Sequence, residues 1–209
     1  MQKPLAGKKI GVLIESQYIP GEITTYQYGF EMLGATVDFM SYLWGQPKNT
    51  FISTVENAGE TPTQLEVTVD FTKVKLEDYA AIIMAANYTS VRLRYFTPPP
   101  TQPQVPSAAM VATAPAVEFF ARAMENPKIV KGALCHGLWI LTPRPDLLQG
   151  RRVICHEVVL ADVLNAGAVF HWDESGVVVD RDLVTGHDWH KVGLFVERVA
   201  DTITAIGNQ

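Results

Sequence analysis

Three short apolar runs constrain the fold of this chain most. They are Lys9-Ile10-Gly11-Val12-Leu13-Ile14, Tyr79-Ala80-Ala81-Ile82-Ile83-Met84-Ala85, and Ile129-Val130 continued by Ala133-Leu134. A strand with one wet face alternates polar and apolar residues. These runs do not, so they suit strands covered on both faces. After the first run, residues 22–33 read as a helix that Gly34 ends, and residues 35–40 as the next strand. That β-α-β opening implies a parallel pair with a right-handed crossover. Further along, 114–124 reads as a helix with Pro115 in its first turn, and 152–155 as a strand. A helix over 157–165 stopped by Gly167, two short strands at 176–180 and 182–185, and a closing helix over 188–206 complete the alternation. The expected architecture is α/β with a mainly parallel central sheet.

Two stretches interrupt the pattern. Residues 44–63 are polar, with Pro, Gly and Asn, and read as an insert. Residues 65–70 then alternate as an edge or hairpin strand would. Residues 97–106 are too rich in proline for a helix or a central strand, and read as an extended loop. No internal repeat or linker is visible, so residues 1–209 read as one domain carrying these two inserts.

With 47% hydrophobic residues the chain can build a layered core. A net charge of -5 without any basic run gives no footprint for nucleic acid. No apolar run approaches the length of a membrane span, and residues 1–9 lack the apolar core of a signal peptide. Two cysteines, Cys135 and Cys155, do not make a disulfide scaffold. A soluble protein of a reducing compartment, the cytoplasm, is expected, with neither nucleic acid nor membrane as partner.

The chemistry-bearing stretch is Gly132-Ala133-Leu134-Cys135-His136-Gly137. An apolar strand runs into a cysteine flanked by small residues, and helix-capable Leu138-Trp139-Ile140-Leu141 follows at once. This is the cysteine version of a nucleophile elbow. A helix N-terminus there favours thiolate over thiol, and the glycines let the backbone bend and a substrate approach. The plainer reading is a buried cysteine ending a core strand. Cys155 lies within a strand and is expected to be buried and inert.

A cysteine nucleophile needs a partner that shuttles protons. His136 adjoins Cys135. His156 ends the strand Val153-Ile154-Cys155, and His187 follows another strand in Thr185-Gly186-His187-Asp188. Sites in parallel sheets gather at the carboxyl ends of strands. Each histidine could equally be a hydrogen-bonded structural residue. Glu15 ends the first strand and Glu22 sits near a helix start, where a carboxylate is favoured in any case. Neither Cys-His pair has the ligand spacing of a structural zinc site, and no Gly-rich phosphate loop is present.

Taken together, these motifs resemble the ThiJ/PfpI superfamily, which has a class I glutamine amidotransferase-like fold. The resemblance runs from about Lys9 to Thr202. It rests on Gly11-Val12-Leu13-Ile14-Glu15, the Cys135 elbow, Gly150-Arg151-Arg152-Val153, Asn165-Ala166-Gly167-Ala168 and Asp182-Leu183-Val184-Thr185-Gly186. It implies a flavodoxin-like three-layer α/β/α sandwich, a homodimer, and Cys135 as the reactive cysteine. Glu22 falls on the family glutamate that hydrogen-bonds the thiol, with Glu15 as the fallback. His156 matches the histidine of the deglycase branch and His136 that of the peptidase branch.

Two departures stand out. Ala85-Ala86-Asn87 replaces the usual Pro-Gly-Gly, whose glycine amide helps form an oxyanion hole beside the cysteine's own amide. Asn87 keeps an N–H and tolerates positive φ. The acid of the peptidase branch is missing from Tyr88-Thr89-Ser90-Val91-Arg92. The resemblance therefore implies a small-molecule enzyme without external cofactor or metal, acting on reactive carbonyls through Cys135. Amide or peptide hydrolysis by Cys135 and His136 is the alternative, and a redox sensor or chaperone-like protein without turnover is a third.

Overall fold

A computed structural model describes residues 3–55, 57–98 and 105–208. The first apolar run forms β1 (Lys9–Leu13), and the chain then enters α1 (Pro20–Met32) through a proline, whose missing N–H would be unpaired there anyway. β2 (Thr36–Ser41) returns parallel to β1. β3 (Asn49–Ile52) and β4 (Gln64–Val67) form an antiparallel hairpin, and β5 (Val69–Asp70) pairs with β2. The second apolar run supplies β6 (Ala81–Met84), followed by short α2 (Thr89–Arg92) and α3 (Ala108–Ala112) and by α4 (Pro115–Glu125). The third gives β7 (Val130–Leu134), after which come a 3-10 turn at Gly137–Ile140 and α5 (Pro145–Leu148). β8 (Arg152–Val153), α6 (Glu157–Asn165), β9 (Val169–Phe170), β10 (Val177–Asp180), β11 (Leu183–Gly186) and α7 (Val192–Gly207) complete the chain.

The central sheet has seven strands in the order β10-β11-β7-β6-β1-β2-β5. All neighbours are parallel except the β10–β11 hairpin. β6 and β7 are buried along their whole length, β6 as its unbroken apolar pattern requires and β7 despite Lys131. The helices lie around this sheet, giving the expected α/β fold. α1 and α7 pack on one another and α7 on β7. Gly132 permits that approach, since a Cβ there would come within 2.8 Å of the Phe195 ring.

Lys131 is the exception within β7. Its fully buried ammonium donates to the carbonyl of Asn126 at 3.0 Å and is paired with Asp182. Arg151 donates to Asp180 Oδ2 at 2.7 Å and to Asp182 Oδ1 at 2.8 Å. Each buried charge is thus matched and hydrogen-bonded, the condition under which burial is tolerated. The Gly-Arg-Arg-Val motif therefore serves the architecture, because Arg151 ties the start of β8 to the turn between β10 and β11.

Several expectations need correction. Residues 65–70 form two strands, because β4 pairs with the insert while β5 joins the sheet edge. The 44–63 insert contains a strand of its own, β3. Its β3 is anchored beside the loop after β1 by the Tyr18↔Ser53 bridge and by the Tyr18–Thr63 hydroxyl contact of 3.0 Å. The 152–155 strand is only two residues long and pairs with β9 outside the central sheet. The amide of Ile154 turns instead to the Thr185 hydroxyl at 3.0 Å. The closing helix starts at Val192, after a 3-10 turn at Trp189–Lys191. Of the proline-rich stretch, residues 99–104 lie outside the described residues.

Candidate active site

Cys135 follows β7 directly, at φ 57°. That left-handed conformation costs a non-glycine residue roughly 1–2 kcal/mol, and such strain concentrates at functional positions. The cysteine N–H donates to the Gly186 carbonyl at 2.8 Å, so β11 holds the turn in place. The side chain is 5% exposed. The strand and turn are as the sequence suggests, but the segment that follows is a single 3-10 turn and not an α-helix. The aligned dipoles expected to favour thiolate are therefore missing.

The sulfur's surroundings work in the opposite direction. Burial pushes the Cys135 thiol up to about 12, with the charges of Glu22 and Asp188 adding to the effect. Backbone hydrogen bonds from His136 and Asn87 counteract it by favouring the anion. Burial also pushes Cys155 up to about 12, and it is 1% exposed, as expected of an inert core residue.

Asn87 has φ 64°, the conformation that the usual glycine would supply. Its N–H is directed at the sulfur together with that of His136. The expectation that the cysteine's own amide joins this pair is overturned, because that amide is bonded to Gly186.

Glu22 lies in the first turn of α1 and is completely buried. Both of its carboxyl oxygens accept from the Ala86 N–H, at 2.9 and 3.0 Å. Burial raises its pKa to about 8, against the lowering effect of Ala86 and Tyr26. At neutral pH the carboxyl thus holds its proton, which removes its repulsion of a Cys135 thiolate. Electrostatically, carboxyl and thiol titrate as one unit.

A pocket of about 320 Å³ opens above the sulfur. Cys135, His136, His156, Asn87, Asp188 and Trp189 line it, with Ile19, Thr54 and Val55. His156 caps α6, its Nδ1 accepting from the Val158 N–H at 3.2 Å. In the neutral ring this contact assigns the proton to Nε2. The His136 and His156 rings meet edge to face, 4.9 Å between centroids. Burial, with His156 adding to it, lowers the pKa of His136 to about 4, so this ring is neutral at physiological pH. Its Nδ1 is buried without a hydrogen-bond partner among the described residues.

The structure thus brings Cys135, His136, His156 and Asn87 into one pocket, with Glu22 electrostatically coupled to the thiol. Glu15 and His187 are placed elsewhere. Glu15 accepts from the Ser16 N–H at 2.7 Å and faces Arg92 at 3.5 Å. His187 turns its Nε2 to Glu157 at 3.0 Å, and its ring stacks 6.0 Å from that of His156. Sequence reasoning missed Asp188, Trp189 and the contribution of Thr54 and Val55. The strand-end argument that selected His187 applies equally to the next residue. Nothing in the polar insert signalled that it would fold back over the site. Among the described residues no group of acidic, His and Cys side chains is arranged to hold a metal ion.

Comparison with known proteins points the same way. Residues 106–202 match the model of the DJ-1/PfpI family. The matched segment contains the Cys135 elbow and the pocket residues His136, His156, Asp188 and Trp189. The ThiJ/PfpI domain protein of Brachyspira murdochii superposes with a TM-score of 0.68 at 14% identity, covering 96% of this chain and 98% of that one. Drosophila melanogaster DJ-1beta gives 0.67 at 12% identity, covering 97% and 96%. A two-domain protein of Anabaena variabilis, with DJ-1/ThiJ/PfpI-like and ferritin-like domains, gives 0.71 at 21% identity over 93% of this chain. This chain spans 47% of that protein's length. No curated protein matches the sequence. At these identities the superpositions establish the DJ-1/PfpI fold. No helix among the described residues is long and apolar enough to cross a membrane.

Proposed function

We propose that this DJ-1/PfpI protein is a cysteine-dependent enzyme acting on small reactive carbonyls, 2-oxoaldehydes foremost. The observation that carries the reading is the coupling of the Cys135 thiol to a buried carboxyl, Glu22, whose pKa is raised to about 8. At neutral pH thiol and carboxyl both hold their protons, so the thiolate forms only as substrate arrives, the thiol proton passing to the carbonyl oxygen or to His156.

In the first step the Cys135 thiolate adds to the aldehyde carbon. The carbonyl π electrons move to oxygen, which takes a proton and gives a hemithioacetal. The Asn87 and His136 amides face the region where negative charge resides. A base then removes the former aldehyde hydrogen from carbon, forming an enediol. Reprotonation at the neighbouring carbon gives the thioester of a 2-hydroxy acid, and water hydrolyses it to free acid and thiol. His156 lines the pocket with its proton assigned to Nε2, and Glu22 lies on the protein side, so these two are the proton carriers. No external cofactor enters this sequence.

A Cys-His ion pair of the peptidase type needs an imidazolium, and the low pKa of His136 works against one. Parallel assays with glyoxal-type substrates and with an amide and peptide panel separate the two. Oxoaldehyde loss with hydroxy-acid formation supports the carbonyl reading. Amide cleavage with a trapped acyl-enzyme on Cys135, without oxoaldehyde turnover, overturns it.

A further inference from the structure

The pocket above Cys135 has an electrostatic sidedness that its nucleophile does not explain. Among the described residues no lysine or arginine lines it, while the Asp188 carboxylate does, beside the Trp189 indole. Asp188 is fixed by the turn that follows β11: its Oδ1 accepts from the His190 N–H at 2.8 Å and contacts that residue's ring. Its Oδ2 makes no hydrogen bond among the described residues. Burial works against its charge, but the bonds from His190 prevail and keep its pKa below the usual carboxylate range. Trp189 is also held in place. Its ring lies over Gly21 at the start of α1, where a Cβ would come within 3.0 Å of it. The indole packs on the His190 ring, 4.1 Å between centroids, and lines the pocket beside the carboxylate, a pairing of negative charge and aromatic wall that suits an organic cation.

We infer that this pocket selects carbonyl substrates bearing a positively charged nitrogen near the carbonyl, with Asp188 and Trp189 as the specificity-determining residues. The inference rests on the carbonyl reading and narrows its substrate class. Anionic 2-oxo acids are repelled by Asp188 and meet no lysine or arginine among the described residues of the pocket wall. A bound ammonium group would also neutralise one of the charges that oppose the thiolate, so the favoured substrate assists its own attack.

Three ketones of similar size test this: aminoacetone (cationic), hydroxyacetone (neutral) and pyruvate (anionic). Their dissociation constants are measured by ligand-observed NMR on the whole chain, which needs no turnover. Aminoacetone is expected to bind about five- to tenfold more tightly than hydroxyacetone, and pyruvate more weakly than either. Asp188→Asn keeps a capping side chain at the turn and should bring the cation-to-neutral ratio to within about twofold of unity. Trp189→Leu, which leaves the carboxylate in place, should reduce the ratio by roughly threefold and serves on its own if the first variant does not fold. Equal affinities in the wild-type protein, no measurable binding of aminoacetone, or a ratio unchanged in both variants would overturn the inference. Charge-selective binding without any Cys135-dependent turnover of oxoaldehydes would instead sink the carbonyl reading and leave the selectivity standing.

Discussion

Glu22 and Ala86 are joined by a two-pronged contact in which one backbone N–H serves both carboxyl oxygens, at 2.9 and 3.0 Å. The contact spans two elements, α1 and the segment after β6, and the residue that follows Ala86 is Asn87, whose own N–H reaches the Cys135 sulfur. One buried acid thus positions the loop that faces the nucleophile and also sets the charge behind it.

Burial of Glu22 makes stability depend on pH. Its pKa is raised to about 8 in the folded protein from 4.5 in the unfolded chain. The folded state therefore binds the proton more tightly, and its contribution is fully present below pH 4.5 and lost as pH rises through about 8. Glu22→Gln keeps an oxygen for Ala86 and removes the charge. Its stability relative to wild type should rise with pH across this window, by up to about 5 kcal/mol. Urea melts at pH 5 and at pH 9 check this; a constant difference between the two proteins would contradict it.

The positive φ of Asn87 yields a second expectation. Asn87→Gly should fold with wild-type stability to within a few tenths of a kcal/mol and keep the reactivity of Cys135. Asn87→Val places a β-branched residue in a left-handed conformation and should lose roughly 1–2 kcal/mol. Thermal melts combined with iodoacetamide labelling rates read both effects.

The two roles of His156, helix cap and proton carrier, can be separated. Asn at this position still caps α6 but cannot shuttle a proton. His156→Asn should therefore retain stability while kcat falls by about 10²-fold. His156→Ala should show the same kinetic loss plus roughly 1 kcal/mol of destabilisation. Equal turnover by His156→Asn and wild type would remove His156 from the mechanism.

Much of the fold was legible because β1, β6 and β7 are covered on both faces and leave apolar runs, interrupted in β7 only by the paired Lys131. The elbow was legible for a similar reason: a cysteine between small residues at the end of such a run has few alternatives. Three things were not legible. The segment after Cys135 is as apolar as an α-helix would be, and only tertiary contacts show it to be a 3-10 turn. The hairpin of β3 and β4 depends on a partner strand distant in sequence, and propensity in a polar stretch does not reveal that pairing. The sign of the thiol's shift depends on burial and on Asp188, both of them products of packing. The glycines and strand ends pointed to the right loops, but the charge balance within those loops emerges only in three dimensions.

Arg151 provides a control away from the site. Arg151→Met leaves the buried Asp180 carboxylate with only the exposed Arg181 guanidinium, 3.6 Å away, and should destabilise the protein by about 3 kcal/mol. The folded fraction should retain its Cys135 labelling rate, because the network lies at the β10–β11 turn and not among the pocket's lining residues. Denaturant midpoints and labelling kinetics on the same samples test both halves.

The most direct experiment is to follow methylglyoxal and its hydroxy-acid product with wild-type protein and with Cys135→Ala at equal concentration. Cys135-dependent consumption, with one hydroxy acid formed per aldehyde lost, is the expected result. Consumption that persists unchanged in Cys135→Ala, or no product with either protein, would contradict a role for Cys135 as a nucleophile toward carbonyls.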